Sequence, residues 1–79
     1  MQHTERVTAV IEREGDGYVA LCPELDIASQ GDSIEEARAN LEEALGLFFE
    51  AARPDEIADR FHQDVYVTHL DIGIEGVAR

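Results

Sequence analysis

The stretch Ser33-Ile34-Glu35-Glu36, followed by apolar residues at every third or fourth position, constrains this chain more than any other. A serine hydroxyl at a helix start accepts a hydrogen bond from the amide three residues on. A glutamate at that later position reaches back to the Ser33 amide, so two otherwise orphaned donors are satisfied. Asp32, Glu35 and Glu36 place negative charge at the positive end of the helix dipole. Ile34, Ala37, Leu41, Ala44, Leu45 and Phe48 then recur at helical spacing and make one apolar face. Glu35, Arg38 and Glu42 lie on the other side, with Arg38 at ion-pair spacing from both glutamates. Pro54 disfavours helix at Arg53, so the helix is expected to stop near Ala52. Gly46 costs roughly 1 kcal/mol against alanine inside such a helix, which predicts close approach of a strand or another helix there.

A one-sided helix must bury its stripe, and the flanking segments are strand-like. In Val7–Ile11, residues Val7, Ala9 and Ile11 share a face by period-two alternation. Glu14-Gly15-Asp16-Gly17 is a hairpin turn signal, since glycine supplies the positive φ such turns need. Tyr18–Cys22 is a second strand, ended by Pro23, which cannot donate to a ladder. Ile27–Gln30 is a short third strand broken by Gly31. Pro54-Asp55-Glu56-Ile57 can begin one more helical turn with proline at its first position, Ile57 and Phe61 facing inward. Val65–Ile72 is a β-rich final strand, with Tyr66, Thr68, Leu70, Ile72 and Ile74 on one face; Gly73 to Arg79 is expected to fray. The expected fold is α+β: a two-layer βββαβ unit, a small, mostly antiparallel sheet covered by one main helix.

With 79 residues there is room for a single domain, spanning 1–79. A core this small is marginal alone and is usually reinforced by disulfides, a metal or a second chain. Cys22 is the only cysteine, which excludes an internal disulfide and a cysteine-built zinc site. Self-association, most simply a homodimer, is the expected reinforcement. Eighteen acidic residues against six arginines, with no lysine, give a net charge of -12. Such a chain repels a phosphate backbone, so direct nucleic-acid binding is not expected and a basic protein partner fits better. The same acidity also serves as a plain solvated surface. The polar start Met1-Gln2-His3-Thr4-Glu5-Arg6 and the short apolar runs predict neither a signal peptide nor a membrane span, hence a soluble, cytoplasmic protein.

The block Glu14-Gly15-Asp16-Gly17-Tyr18-Val19-Ala20-Leu21-Cys22-Pro23-Glu24-Leu25 resembles the start of the HicB-type antitoxins, where a glycine turn, an aromatic strand and a Cys-Pro or similar pair precede a leucine. Gln30-Gly31-Asp32-Ser33-Ile34-Glu35-Glu36-Ala37 resembles the second signature of that family, usually Gly-Asp-Thr followed by Glu-Glu-Ala. The two blocks and their spacing cover the region from Val7 to Phe49. The resemblance implies a partial ribonuclease H fold without the complete catalytic set. It also implies a partner: a HicA-type toxin, a small basic ribonuclease whose active site the antitoxin covers. Many HicB-type proteins add a C-terminal DNA-binding domain; none is expected here, because too little chain follows Val77. Asp26-Ile27 also replaces the Pro-Gly of many relatives.

Metal-dependent phosphoryl transfer would need carboxylates converging on cations. Asp16, Asp26 and Asp32 fall in a turn, a loop and a helix start, where turn and dipole roles account for Asp16 and Asp32. His3, His62 and His69 lack the short spacings of metal ligands. Cys22 has no basic neighbour in sequence and fits a small buried role. Phe48 fits the core, and Phe49 is either an exposed contact or a half-buried edge. No catalytic, cofactor-binding or metal-binding residue is therefore expected. The expected function is neutralisation of a small basic HicA-type toxin; the alternative is a stand-alone HicB-like protein-binding or regulatory domain. The acidic residues expected to face the partner are Glu24 and Asp26, in the loop after Pro23, and Glu35 and Glu42, on the outward helix face.

Overall fold

The computed structural model of the chain describes residues 4–62 and 64–76. Three strands, β1 (Val10–Glu14), β2 (Gly17–Cys22) and β3 (Ile27–Gly31), form an antiparallel sheet in the order β1-β2-β3. Two helices follow, α1 (Ile34–Ala51) and α2 (Pro54–Arg60). The expected α+β architecture of two layers, a small sheet under one main helix, is what forms.

The β1–β2 connection is a two-residue turn closed by the Glu14↔Gly17 pair. Gly15 has φ 60° and Asp16 is not in the positive-φ region, the pattern of a type II′ hairpin turn with glycine at its first central position. The register sets Glu12 opposite Val19 and Val19 opposite Gln30, and Val10 opposite Leu21 and Leu21 opposite Ala28. These residues share the face away from α1. The other face carries Ile11, Tyr18, Ala20, Cys22 and Ile27 against the helix, and Arg13 stacks over the ring of its cross-strand neighbour Tyr18 at 5.7 Å.

Strand β1 starts three residues later than the expected Val7. Val7 and Ile11 do pack against the core, but Ala9 is exposed. The register explains the shortened ladder: continuing it sets Thr8 opposite Pro23, which has no N–H. The Thr8 amide is satisfied instead by the Glu24 side chain.

Helix α1 begins at the expected cap. The Ser33 Oγ accepts from the Glu36 amide at 3.0 Å. Glu36 reaches back one residue further than expected, accepting from the Asp32 amide at 3.1 Å rather than from Ser33. At the other end Ala52 is the C-cap, as Pro54 dictates, and α2 starts with proline at its first turn. Ala37, Leu41 and Leu45 are the buried residues of α1 and, with Ala20, Cys22 and Leu25, make the core. Ile34 remains about half exposed, at the helix entrance.

Two glycines behave differently. A Cβ on Gly31 would lie 2.5 Å from the Ala37 amide nitrogen, so β3 meets the helix start backbone to backbone. Gly46, expected to mark such an approach, has nothing within 4 Å of an added Cβ among the described residues. Gly31, which reads as a strand breaker, is instead the strand's last residue.

Among the described residues the expected final strand pairs with no other segment. Residues 64–74 have no helix or strand partner, and only Val65 of residues 64–74 is partly covered. Helix α2 is held to the β2–β3 loop by Arg60 Nη2 donating to the Leu25 carbonyl at 2.8 Å and by the His62 amide donating to the Glu24 carbonyl at 2.6 Å. Asp64 then takes φ 62°, and Asp64, Val65 and Tyr66 line a shallow hollow with Glu5, Arg6, Glu24 and Phe61.

Candidate functional site

The acids expected to face a partner separate into two kinds. Glu24 is buried, 8% exposed, and is a structural anchor rather than a surface charge. Its carboxylate accepts from the Thr8 amide at 3.0 and 3.1 Å, from the Thr8 hydroxyl at 2.7 Å and from the Cys22 thiol at 3.5 Å. Burial opposes its charge, but these donors outweigh burial and hold its carboxyl below the usual range. The neighbouring Cys22 is fully buried, and desolvation pushes its thiol above the ordinary value, so it is an inert core group. The sequence expectation that Glu24 is exposed is therefore corrected. An acid directly after a proline looks like a loop charge, and only the Thr8–Pro23 register reveals the amide it must satisfy.

Asp26, Glu35 and Glu42 are exposed. Asp26 sits in the left-handed region, φ 55°, at the bend between Leu25 and β3, a conformation that aspartate tolerates better than most residues. Glu35 lies in the first turn of α1. Glu42 is two turns further on along the same side, about 10 Å in rise, and with Arg38 it borders a groove beside the segment that precedes β1.

That groove, about 570 Å³, runs between the N-terminal segment and α1, with Val7, Leu41, Leu45 and Phe49 in its walls. It exposes the edge of the core, since α1 lies mainly over β3 and β2. A neighbouring hollow lined by Phe49, Ile57 and Phe61 continues it. The three phenylalanines form a chain, Phe48 to Phe49 at 5.5 Å edge-on and Phe49 to Phe61 at 6.5 Å. Arg60 stacks over Phe48 at 5.2 Å. Phe49 is thus half-buried, one of the two readings its helical position allowed.

Asp16, Asp26 and Asp32 are not brought into a common site: among the described residues no group of three His, Cys, Asp or Glu could hold a metal ion. His62 and His69 are exposed, and His3 lies outside the described residues. No helix is long and apolar enough to cross a membrane among the described residues. The arrangement offers binding surfaces: an acidic helix side, an apolar groove and an unpartnered apolar arm. Sequence alternation marks the arm as β-type, but nothing in it shows that the strand lacks a partner within its own chain.

No protein-family model matches the chain, and neither does any solved structure. Two curated proteins are similar to it. A UPF0150 protein of Helicobacter pylori strain J99 is 43% identical over 67 residues, covering 84% of this chain and 93% of the relative. A UPF0150 protein of Synechocystis sp. strain PCC 6803 is 50% identical over 46 residues, covering 56% of this chain and 64% of the relative. With near-complete coverage of the first relative at that identity, the chain belongs to the UPF0150 family.

Proposed function

We propose that this UPF0150 protein is a HicB-like antitoxin: a non-enzymatic, cytoplasmic, homodimeric domain that binds and neutralises a small basic HicA-type ribonuclease. The observation that carries the proposal is the unbalanced acidic surface. The chain has 18 acidic and 6 basic residues, and Asp26, Glu35 and Glu42 stand exposed on the loop and the outward helix side. A ribonuclease holds RNA with positive charge, and a folded acidic domain can occupy the same field. Complementary charge speeds encounter, while packed apolar groups hold the complex. The two HicB-like sequence blocks add support, because they coincide with the β1–β2 hairpin, the Glu24 anchor and the capped start of α1.

The test is co-expression with a short basic reading frame adjacent to this gene. Relief of that frame's toxicity, with a stable complex on purification, is the expected result. Charge reversal at Asp26, Glu35 and Glu42 together should slow association and weaken its salt dependence, with the fold retained. Unrelieved toxicity with both chains soluble, or a genome with no such frame, would leave a protein-binding domain without a toxin partner.

A further inference from the structure

We propose that the arm of residues 65–74 pairs as a fourth strand along the β1 edge of a second copy of this chain, each copy supplying its arm to the other. Among the described residues the arm holds the most exposed large apolar side chains. Tyr66, Val67, Leu70, Ile72 and Ile74 are 86, 60, 78, 71 and 64% exposed. Isolated apolar surface side chains are ordinary, but a contiguous run of this kind marks an interface. Period-two alternation gives the run a strand's two faces. It also stretches the molecule: the radius of gyration is 15.9 Å and the longest extent 55 Å, against about 12 Å for the gyration radius of a compact chain of this length.

The β1 side is the surface that lacks a strand. Among the described strands β1 and β3 each have a neighbour on one side only. The β3 edge is partly occupied by the helix, since Asn40 Nδ2 donates to the Gln30 carbonyl at 2.8 Å and Gly31 lies against the start of α1. The outer side of β1 carries no strand, and the segment that leads into β1, residues 4–9, borders an open groove against α1 walled by Val7, Leu41, Leu45 and Phe49. A strand added there would extend the ladder and cover the exposed edge of the core in one step. Ten extended residues reach about 33 Å, enough to run the length of a sheet of five- and six-residue strands.

Charge selects the second copy as occupant. Two chains of net charge -12 repel each other except where charge is sparse. Residues 65–74 are such a place, holding one carboxylate, Asp71, and no arginine. Reciprocal exchange about a two-fold axis fills both grooves and leaves neither arm exposed. The inference rests on the homodimer in the proposed function but not on the toxin, and its test contains no toxin, so the two can fail separately.

The test uses the purified full-length chain. Light scattering across micromolar concentrations should give a dimer. Leu70→Asp with Ile72→Asp should raise the dimer dissociation constant at least about 100-fold, since each removes a buried aliphatic contact. The circular dichroism of the helix should be unchanged, because both side chains are exposed in the single chain. An equimolar mixture of Ala9→Cys and Ile72→Cys chains should cross-link between unlike copies on oxidation, since Ala9 borders the groove and the native Cys22 is fully buried. A monomer at all concentrations, a dimer indifferent to the two aspartates, or cross-links only between like Ile72→Cys chains would each overturn the proposal.

Discussion

The body from Val7 to Phe61 and the arm from Val65 to Ile74 are both rich in apolar residues, yet they solve opposite problems. In the body the inner face of the sheet meets the apolar stripe of α1: Ala20 and Cys22 from β2 lie under Ala37, Leu41 and Leu45, with Leu25 closing the end. In the arm, alternating Leu70, Ile72 and Ile74 face water. Hydrophobicity and β propensity alone therefore do not place a segment in a core; a covering surface within reach does. The body has that surface because a tight turn and a capped helix fold it locally. Beyond Val65 the described arm residues are exposed, and in the proposed dimer the covering surface comes from the second copy.

The same substitution in the two regions should separate them most widely. Leu41→Ala, at a side chain 2% exposed, should destabilise the fold by about 2–5 kcal/mol through lost burial and a cavity. Leu70→Ala should change the denaturation midpoint by no more than about 0.5 kcal/mol in dilute solution, where the arm is free. A large Leu70→Ala effect at high dilution would mean that the arm folds onto its own body.

Glu24 joins the N-terminal segment and the arm's root to the body, and it gives the next largest effect. Glu24→Ala should cost about 1–3 kcal/mol, because the Thr8 amide and hydroxyl lose their acceptor. Its carboxyl titrates below the unfolded value, so its contribution is full above about pH 4.3 and is lost as pH falls through the lower folded value. Glu24→Gln should accordingly flatten the acid limb of the stability–pH curve in that window; an unchanged acid limb would show that other carboxylates set it.

Ser33→Ala removes the acceptor at the start of α1 and should lower stability by about 0.5–2 kcal/mol, measured by urea denaturation; no change would place the helix start elsewhere. The smallest effect has the opposite sign. Gly46→Ala should raise stability by up to about 1 kcal/mol, since a methyl there meets open space and gains helix propensity. If the gain in stability comes with weaker binding to a partner, the open space at Gly46 is a contact made only in a complex.

Local chemistry was readable from residues alone. Ser33 and Pro54 bracket α1, Gly15 shapes the hairpin and the helical stripe selects Leu41 and Leu45, because each acts over a few residues. What was not readable depends on pieces far apart in sequence. Glu24 reads as a solvated loop acid until Thr8 is seen opposite Pro23. Gly31 and Gly46 are alike as letters, yet only Gly31 touches another backbone, a matter of where β3 crosses α1. The candidate partner-facing set shrank for the same reason, keeping Asp26, Glu35 and Glu42 at the surface and losing Glu24 to the core. The groove between residues 4–9 and α1 has no sequence signature at all, being a gap between segments rather than a run of residues.

Amide hydrogen exchange on the unmodified chain, followed across protein concentration, tests most directly whether body and arm differ as described. The amides that pair within the β1-β2-β3 sheet and within α1 should be protected at every concentration. Those from Tyr66 to Ile74 should exchange freely when the chain is dilute and become protected as the dimer forms, together with the outward amides of β1. Arm amides protected in the dilute monomer, or still unprotected when the protein is fully dimeric, would contradict this account.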